Sequence, residues 1–177
     1  MSAHTPFLNK YRKNLTRFCR HIFTLPNAVH QHFPKSAMRN IQAAIAQSEV
    51  EHFGEIRFAV ETNLSTLELL RKKSAKRRAI EVFSNLRVWD TEQNNGVLIY
   101  FLLADHDFEI LADRGIHKHV GDEGWEAISH GMEQRFRQGE FEAGVLHGIS
   151  EIGALLKQHY PANGKNDNEL SDVPVIL

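Results

Sequence analysis

Nine consecutive residues, Gly96 to Ala104 (GVLIYFLLA), carry no charge and no apolar–polar alternation. A strand made of them has to be covered on both faces. Asp105, His106 and Asp107 follow as a polar turn, and Phe108 to Ala112 (FEILA) then alternates as a half-buried antiparallel partner would. A hairpin therefore sits at the centre of the fold. Antiparallel pairing also places its flanks: Asp90 to Gly96 and Asp113 to Gly115 share one end of the hairpin, and Asp105 and Asp107 occupy the other.

The remaining periodicities supply cover for that hairpin. Ser36 to His52 reads as a helix closed by Gly54, and Glu55 to Thr62 alternates as a strand with one covered face. Ser65 and Glu68 have capping-box spacing and open a helical region that runs to Leu86. Two further helices are predicted, Val120 to Arg137 and Glu140 to Tyr160. The fold class is α/β: a single mixed β-sheet with a central hairpin, covered by helices on both faces, plus an N-terminal amphipathic helix. The chain divides into that basic helix and its connector (1–33), one domain (34–160) and a flexible acidic C-terminal tail (161–177).

With 177 residues, a net charge of -1 and 42% hydrophobic residues, one core is expected and nucleic acid is not an expected partner. Cys19 is the one cysteine, so neither an internal disulfide nor a thiolate metal cage can form. No apolar run approaches a membrane span, and no signal core precedes a small-residue cleavage site, which sets a cytoplasmic expectation. Charge is uneven, however. Leu8, Tyr11, Leu15, Phe18, Cys19 and Ile22 line one face of the N-terminal helix, with Lys10, Arg12, Lys13, Arg17 and Arg20 opposite. Such a helix either lies on an anionic membrane or docks on the domain or on a second copy, and docking is the favoured reading. A second basic block spans Arg71 to Arg78.

Oxygen donors cluster at the first end of the hairpin. Asp90, Asn94, Asn95 and Asp113 are the types of ligand a hard divalent cation such as calcium takes, and the same residues before glycine also build turns unaided. His117-Lys118-His119, read as an extended segment, points both imidazoles the same way, but no established metal spacing accompanies it. P-loop, nucleophile-elbow and dinucleotide signatures are absent, so no nucleotide cofactor is expected.

The stretch from Ala79 to Gly115, with VFSNLRVW, Asn94-Asn95-Gly96-Val97-Leu98, the aspartate turn and the strand ending near Gly115, resembles the TPM domain family. Trp125, MEQRF and Gly139-Glu140-Phe141 extend the likeness over roughly Pro34 to Tyr160. Many members carry Asp-Asn-Gly where this chain has Asn94-Asn95-Gly96, and this chain looks like the short, tether-free bacterial branch. The resemblance implies calcium at Asp90, Asn94, Asn95 and Asp113. The leading expectation is a binding and assembly module, peripheral at the inner membrane, meeting an anionic membrane surface and an envelope-associated protein partner. The alternative it implies is a metal-dependent acid phosphatase acting on phosphate monoesters, with Asp90 or Asp113 as nucleophile or ligand and Arg114 steadying phosphate oxygens.

Overall fold

A computed structural model describes residues 16–25, 27–163 and 168–177. The uncharged nonapeptide becomes β2 (Val97–Leu102), which runs into a 3-10 turn over Leu103–Asp105. It pairs antiparallel with β3 (Asp107–Ala112) in the register Phe101 to Phe108 and Val97 to Ala112. On its other side lies β1 (Ile56–Glu61), parallel, with Ile56 opposite Val97. The sheet order is β3-β2-β1-β4, β4 being Val175–Ile176. The predicted hairpin is thus present, and β2 is buried at all six positions while β3 is partly exposed throughout.

Helices close both faces. In chain order α1 is the helical part of the described N-terminal segment (16–23), followed by α2 (Ala28–His32), α3 (Lys35–Glu49), α4 (Thr66–Leu70), α5 (Ala75–Asn85), α6 (Arg114–Arg137) and α7 (Phe141–His159). One core joins Ile56, Phe58, Val60, Ile99 and Phe101 to α3, α6 and α7. A second, smaller core joins Ala59, Leu98, Tyr100 and Leu102 to α4 and α5, with Phe18 of α1 against it. The N-terminal half of the predicted amphipathic helix, with Leu8, Tyr11, Lys10, Arg12 and Lys13, lies outside the described residues.

Four local expectations change. β1 is buried on both faces rather than one, including Arg57 and Glu61. Glu61 sits inside because the Arg78 guanidinium and the Tyr100 hydroxyl both donate to it, at 2.8 and 2.6 Å, and a buried charge needs such donors. The helical region from Ser65 breaks after one short helix: Lys72 takes a positive φ of 53°, and Ser74 accepts from Arg77 N to cap α5 anew. α6 starts at Arg114, six residues earlier than predicted, and bends at Gly121, whose φ of 68° no β-carbon favours. His117-Lys118-His119 is therefore helical, and residues two apart on a helix face opposite ways.

The fourth change is at the C-terminus. Residues 168–177, assigned by composition to a flexible acidic tail, run along β1 instead. Ala59 pairs with Val175 and Val60 with Ile176, and Leu177 N donates to Val60 O. The Glu55 carboxylate accepts from Glu169 N and Leu170 N at 3.0 and 3.2 Å.

Candidate functional site

The polar loop from Asp90 to Gly96 folds on itself before it meets α6. Thr91 is buried, and its Oγ1 accepts from Asn95 N at 3.1 Å. Asn94 takes a positive φ of 54°, a conformation asparagine tolerates better than most residues. Its carbonyl then accepts from Gly115 N and Ile116 N at the start of α6. That approach excludes a side chain at 115, since a β-carbon on Gly115 would collide with the carbonyl oxygens of Gln93 and Asn94. Asp113 closes the corner from the other strand. Its N–H donates to Gly96 O, and its Oδ1 accepts from Arg114 N at 2.6 Å as the cap of α6.

Antiparallel pairing therefore brings Asn94, Asn95, Asp113 and Arg114 together. Arg114 is exposed and donates through Nε to Asn94 Oδ1 at 3.1 Å. Asn95 is fully buried, and its amide nitrogen donates to Phe53 O at 3.0 Å. Two oxygens in this corner are buried without a hydrogen-bond donor: Asn95 Oδ1 and Asp113 Oδ2. Buried acceptors of this kind are uncommon, and each is costly unless a hydrogen-bond donor or a cation reaches it. Asp90, by contrast, is exposed at the start of the loop, where its N–H donates to Arg87 O. No hydrogen bond ties its side chain to the others.

The opposite end of the hairpin is built differently. Asp105 receives Arg17 Nε at 3.0 Å and Arg17 Nη2 at 2.7 Å, with His21 Nε2 at 3.0 Å. His21 Nδ1 accepts from Leu64 N, so Nε2 carries the proton donated to Asp105. Burial alone would raise the Asp105 pKa, but the His21 and Arg17 hydrogen bonds outweigh it and hold the carboxyl below its usual range. Asp105 is a clamp for α1.

A third group of acids lies on the β1 side of the same rim as Asn95. Burial pushes the Glu55 carboxyl up to about 7, against the two N–H groups of the C-terminal segment that favour its charged form. Burial likewise pushes Glu49 up to about 9, opposed by Ile56 N and reinforced by the charges of Glu55 and Asp172. Arg57 lies among them with Nε and Nη1 buried and without acceptors.

Neither the histidine pair nor the acids form a ready metal cage. His117 approaches Asp122 at 3.9 Å and is exposed, while His119 stacks on the His159 ring at 4.6 Å beside Tyr160. Among the described residues, no group of three or more His, Cys, Asp or Glu side chains is placed to hold a metal ion. A cation at the Asn95–Asp113 corner would therefore draw on amide and backbone oxygens beside one carboxylate, a donor set suited to a hard ion and not to zinc. Sequence reasoning missed two contributors. Thr91, four residues before Asn95, carried the signal of a hydroxyl that bonds nearby backbone. Tyr160, raised in pKa by burial and by the Asp113 charge, carried none, since the fold alone brings it there.

The comparisons with known proteins agree with this architecture. The model of the TPM domain matches residues 30–155. Among solved structures, the chain is similar to the BA42 protein of the psychrophilic bacterium Bizionia argentinensis, determined by NMR. The identity is 30% and the TM-score 0.72, over 80% of this chain and 93% of that one. No curated protein matches. With well over half its length matched by the family, and with the hairpin and its oxygen-rich corner in place, this chain belongs to the TPM domain family.

Proposed function

We propose that this TPM-domain chain is a binding and assembly module that meets an anionic lipid surface at the inner face of a bacterial membrane. The observation that supports this is on α4 and α5. Leu67 and Leu70 are 66% and 68% exposed, and Arg71, Lys72, Lys76 and Arg77 beside them are exposed as well. Ile22, Phe23 and Leu25 are exposed at the end of α1, where Asn63 donates to the His21 and Thr24 carbonyls and so ties them to the segment that leads into α4. Apolar side chains within a basic collar suit a headgroup–acyl boundary, each cation adding about 1 kcal/mol near an anionic surface. Arg17 and Arg20 of α1 are turned to Asp105, so among the described residues of α1, α4 and α5 the basic surface offered to lipid is the α4–α5 collar. No described helix is long and apolar enough to cross a membrane, and the contact is peripheral.

Co-sedimentation with phosphatidylcholine vesicles, with and without phosphatidylglycerol, tests the reading. Binding is expected to the anionic vesicles at low salt, weaker at high salt, and lost in Leu67→Ser with Leu70→Ser. Absence of binding to anionic vesicles at either salt concentration removes it. An envelope-associated protein is the partner the module would gather at that surface.

A second reading, a metal-dependent acid phosphatase, is favoured by the two orphaned oxygens. Asn95 Oδ1 and Asp113 Oδ2 would hold calcium or another divalent cation, with Asp90 as a further ligand and Arg114 toward a phosphate oxygen. Phosphate release from a generic monoester, with and without calcium or magnesium, separates the readings. Equal rates for the native chain and Asp113→Ala end the phosphatase proposal.

A further inference from the structure

β3 is an edge of the sheet, and among the described residues no strand pairs with its outer side. The register decides what that side offers. Val97 donates its N–H to Glu55 O, away from β3, and Asp113 donates its N–H to Gly96 O, toward β2. With Val97 opposite Ala112, Ile99 opposite Ile110 and Phe101 opposite Phe108, the backbone groups of Phe108, Ile110 and Ala112 point outward. Asp107 takes the Phe108 N–H. The Phe108 carbonyl and both groups of Ile110 are left for another strand. Edges are commonly guarded by lysine or proline, and β3 contains neither.

Beside this edge α6 forms a second wall. A cavity of about 340 Å³ is floored by Phe101, Phe108, Phe136 and Phe141, with Asp107 and Glu133 on its lining. A second, of about 310 Å³, shares Phe108 and Glu133 and continues to Glu126 and Ser129. Positions 126, 129, 133 and 136 recur at helical spacing along one face of α6, so the two cavities form one groove between that face and β3. Three carboxylates, of Asp107, Glu126 and Glu133, stand against one guanidinium, Arg137, which pairs with Glu133 at 2.7 Å, with the imidazoles of His106 and His130 also on the lining.

We propose that the groove between β3 and α6 binds an extended, basic segment of a partner protein, which adds to β3 as a further strand. Backbone pairing with Phe108 and Ile110 supplies affinity for any extended chain, and the phenylalanine floor selects a bulky apolar side chain at one position. The surplus of carboxylates selects lysine or arginine at the neighbouring positions. This goes beyond membrane contact and is independent of it, because α4 and α5 cover the other face of the sheet.

The test uses the full chain, 15N-labelled, and two peptide pools of about eight residues, enough to span β3 and its flanks. Each pool alternates Phe, Leu or Ile with a charged residue, Lys or Arg in one and Asp or Glu in the other. The basic pool is expected to shift the amides of Phe108 to Ala112 and of α6 from Glu126 to Arg137. N-methylation of alternate backbone amides in the bound peptide is expected to weaken it at least about tenfold. Glu126→Lys combined with Glu133→Gln is expected to weaken it about fivefold while spectral dispersion and vesicle binding are retained. The proposal is overturned if the basic pool leaves β3 amides unmoved, if the N-methylated peptide binds equally well, or if the acidic pool binds as tightly as the basic one.

Discussion

The two ends of the central hairpin are each marked by an aspartate where the chain leaves a strand, and they have opposite fates. At one end Asp105 is enclosed by Arg17, Arg20 and His21, and its charge is satisfied entirely within the chain. At the other, Asp113 engages one backbone N–H through Oδ1, while its Oδ2 and the Asn95 Oδ1 are buried with no donor. The first end is closed by donors from the chain itself, and at the second two buried oxygens receive none from the described residues. An aspartate at the end of a strand is thus not by itself a ligand or a clamp. What arrives from a distant part of the chain decides, and at Asp105 that is α1, more than eighty residues away in sequence.

The largest expected effect tests the closed end. Asp105 accepts charge-assisted hydrogen bonds from Arg17 and His21 in a part-buried site, and losing them together costs about 3 kcal/mol, so Asp105→Ala should lower urea stability by that order. It should also expose the α1 segment to proteolysis, with or without calcium. A variant as stable as the native chain would show that α1 is held by Phe18 packing and by the Asn63 and Leu64 hydrogen bonds without the Asp105 pair.

Next comes the pH dependence, where the two kinds of carboxyl differ in sign. Asp105, held below its usual range, contributes stability that is present above that range and is lost only as pH falls through its folded value. Glu55, on the Asn95 rim, behaves oppositely. Raised from 4.5 to about 7, it keeps a proton in the folded state that the unfolded chain has released. Stability therefore falls as pH rises from about 4.5 to 7, and Glu49 extends the fall toward 9. Glu55→Gln is expected to flatten that fall by about 2 kcal/mol between pH 4 and pH 8, offset by a pH-independent cost because the amide nitrogen cannot accept one of the two backbone N–H groups. Thermal unfolding of both proteins across that range checks it, and parallel curves would refute the assignment.

At the open end the effects are smaller. Asp113→Ala removes the α6 cap and should cost about 1 kcal/mol. Asp113→Asn keeps a capping oxygen but not the charge, and is expected to retain most stability; if the proposed cation binds at this corner, any rise in melting temperature that calcium gives the native chain is lost with it. A calcium response that survives Asp113→Asn moves the cation elsewhere. Asp90→Ala, exposed and outside the hydrogen-bonded corner, should leave the unfolding midpoint where it was.

Much of this arrangement was legible in the residues. The uncharged nonapeptide and the alternating FEILA could pair only as a buried strand with a half-buried neighbour, and that pairing dictates that Asn94, Asn95 and Asp113 share a rim. Arg57 and Glu61 misled for a physical reason. Charges alternating along a strand read as a solvent face, but Arg78 and Tyr100 bind Glu61, and the C-terminal segment packs near Arg57, neither visible from local pattern. The histidine pair misled because Asp113 caps α6 and starts the helix before them. The tail misled because its polar composition conceals two residues whose backbone completes the β1 edge.

Local pattern determined the sheet's innermost strand, the partner beside it and the rim on which the oxygen donors gather, since these follow from burial and from hydrogen-bond geometry within short segments. Tertiary structure decided which donors are already satisfied, which acids are buried beside them and which sheet edge is left open. Those outcomes depend on where α1, α6 and the C-terminal residues come to rest, and contacts between segments so far apart in the chain leave no periodic signature in it.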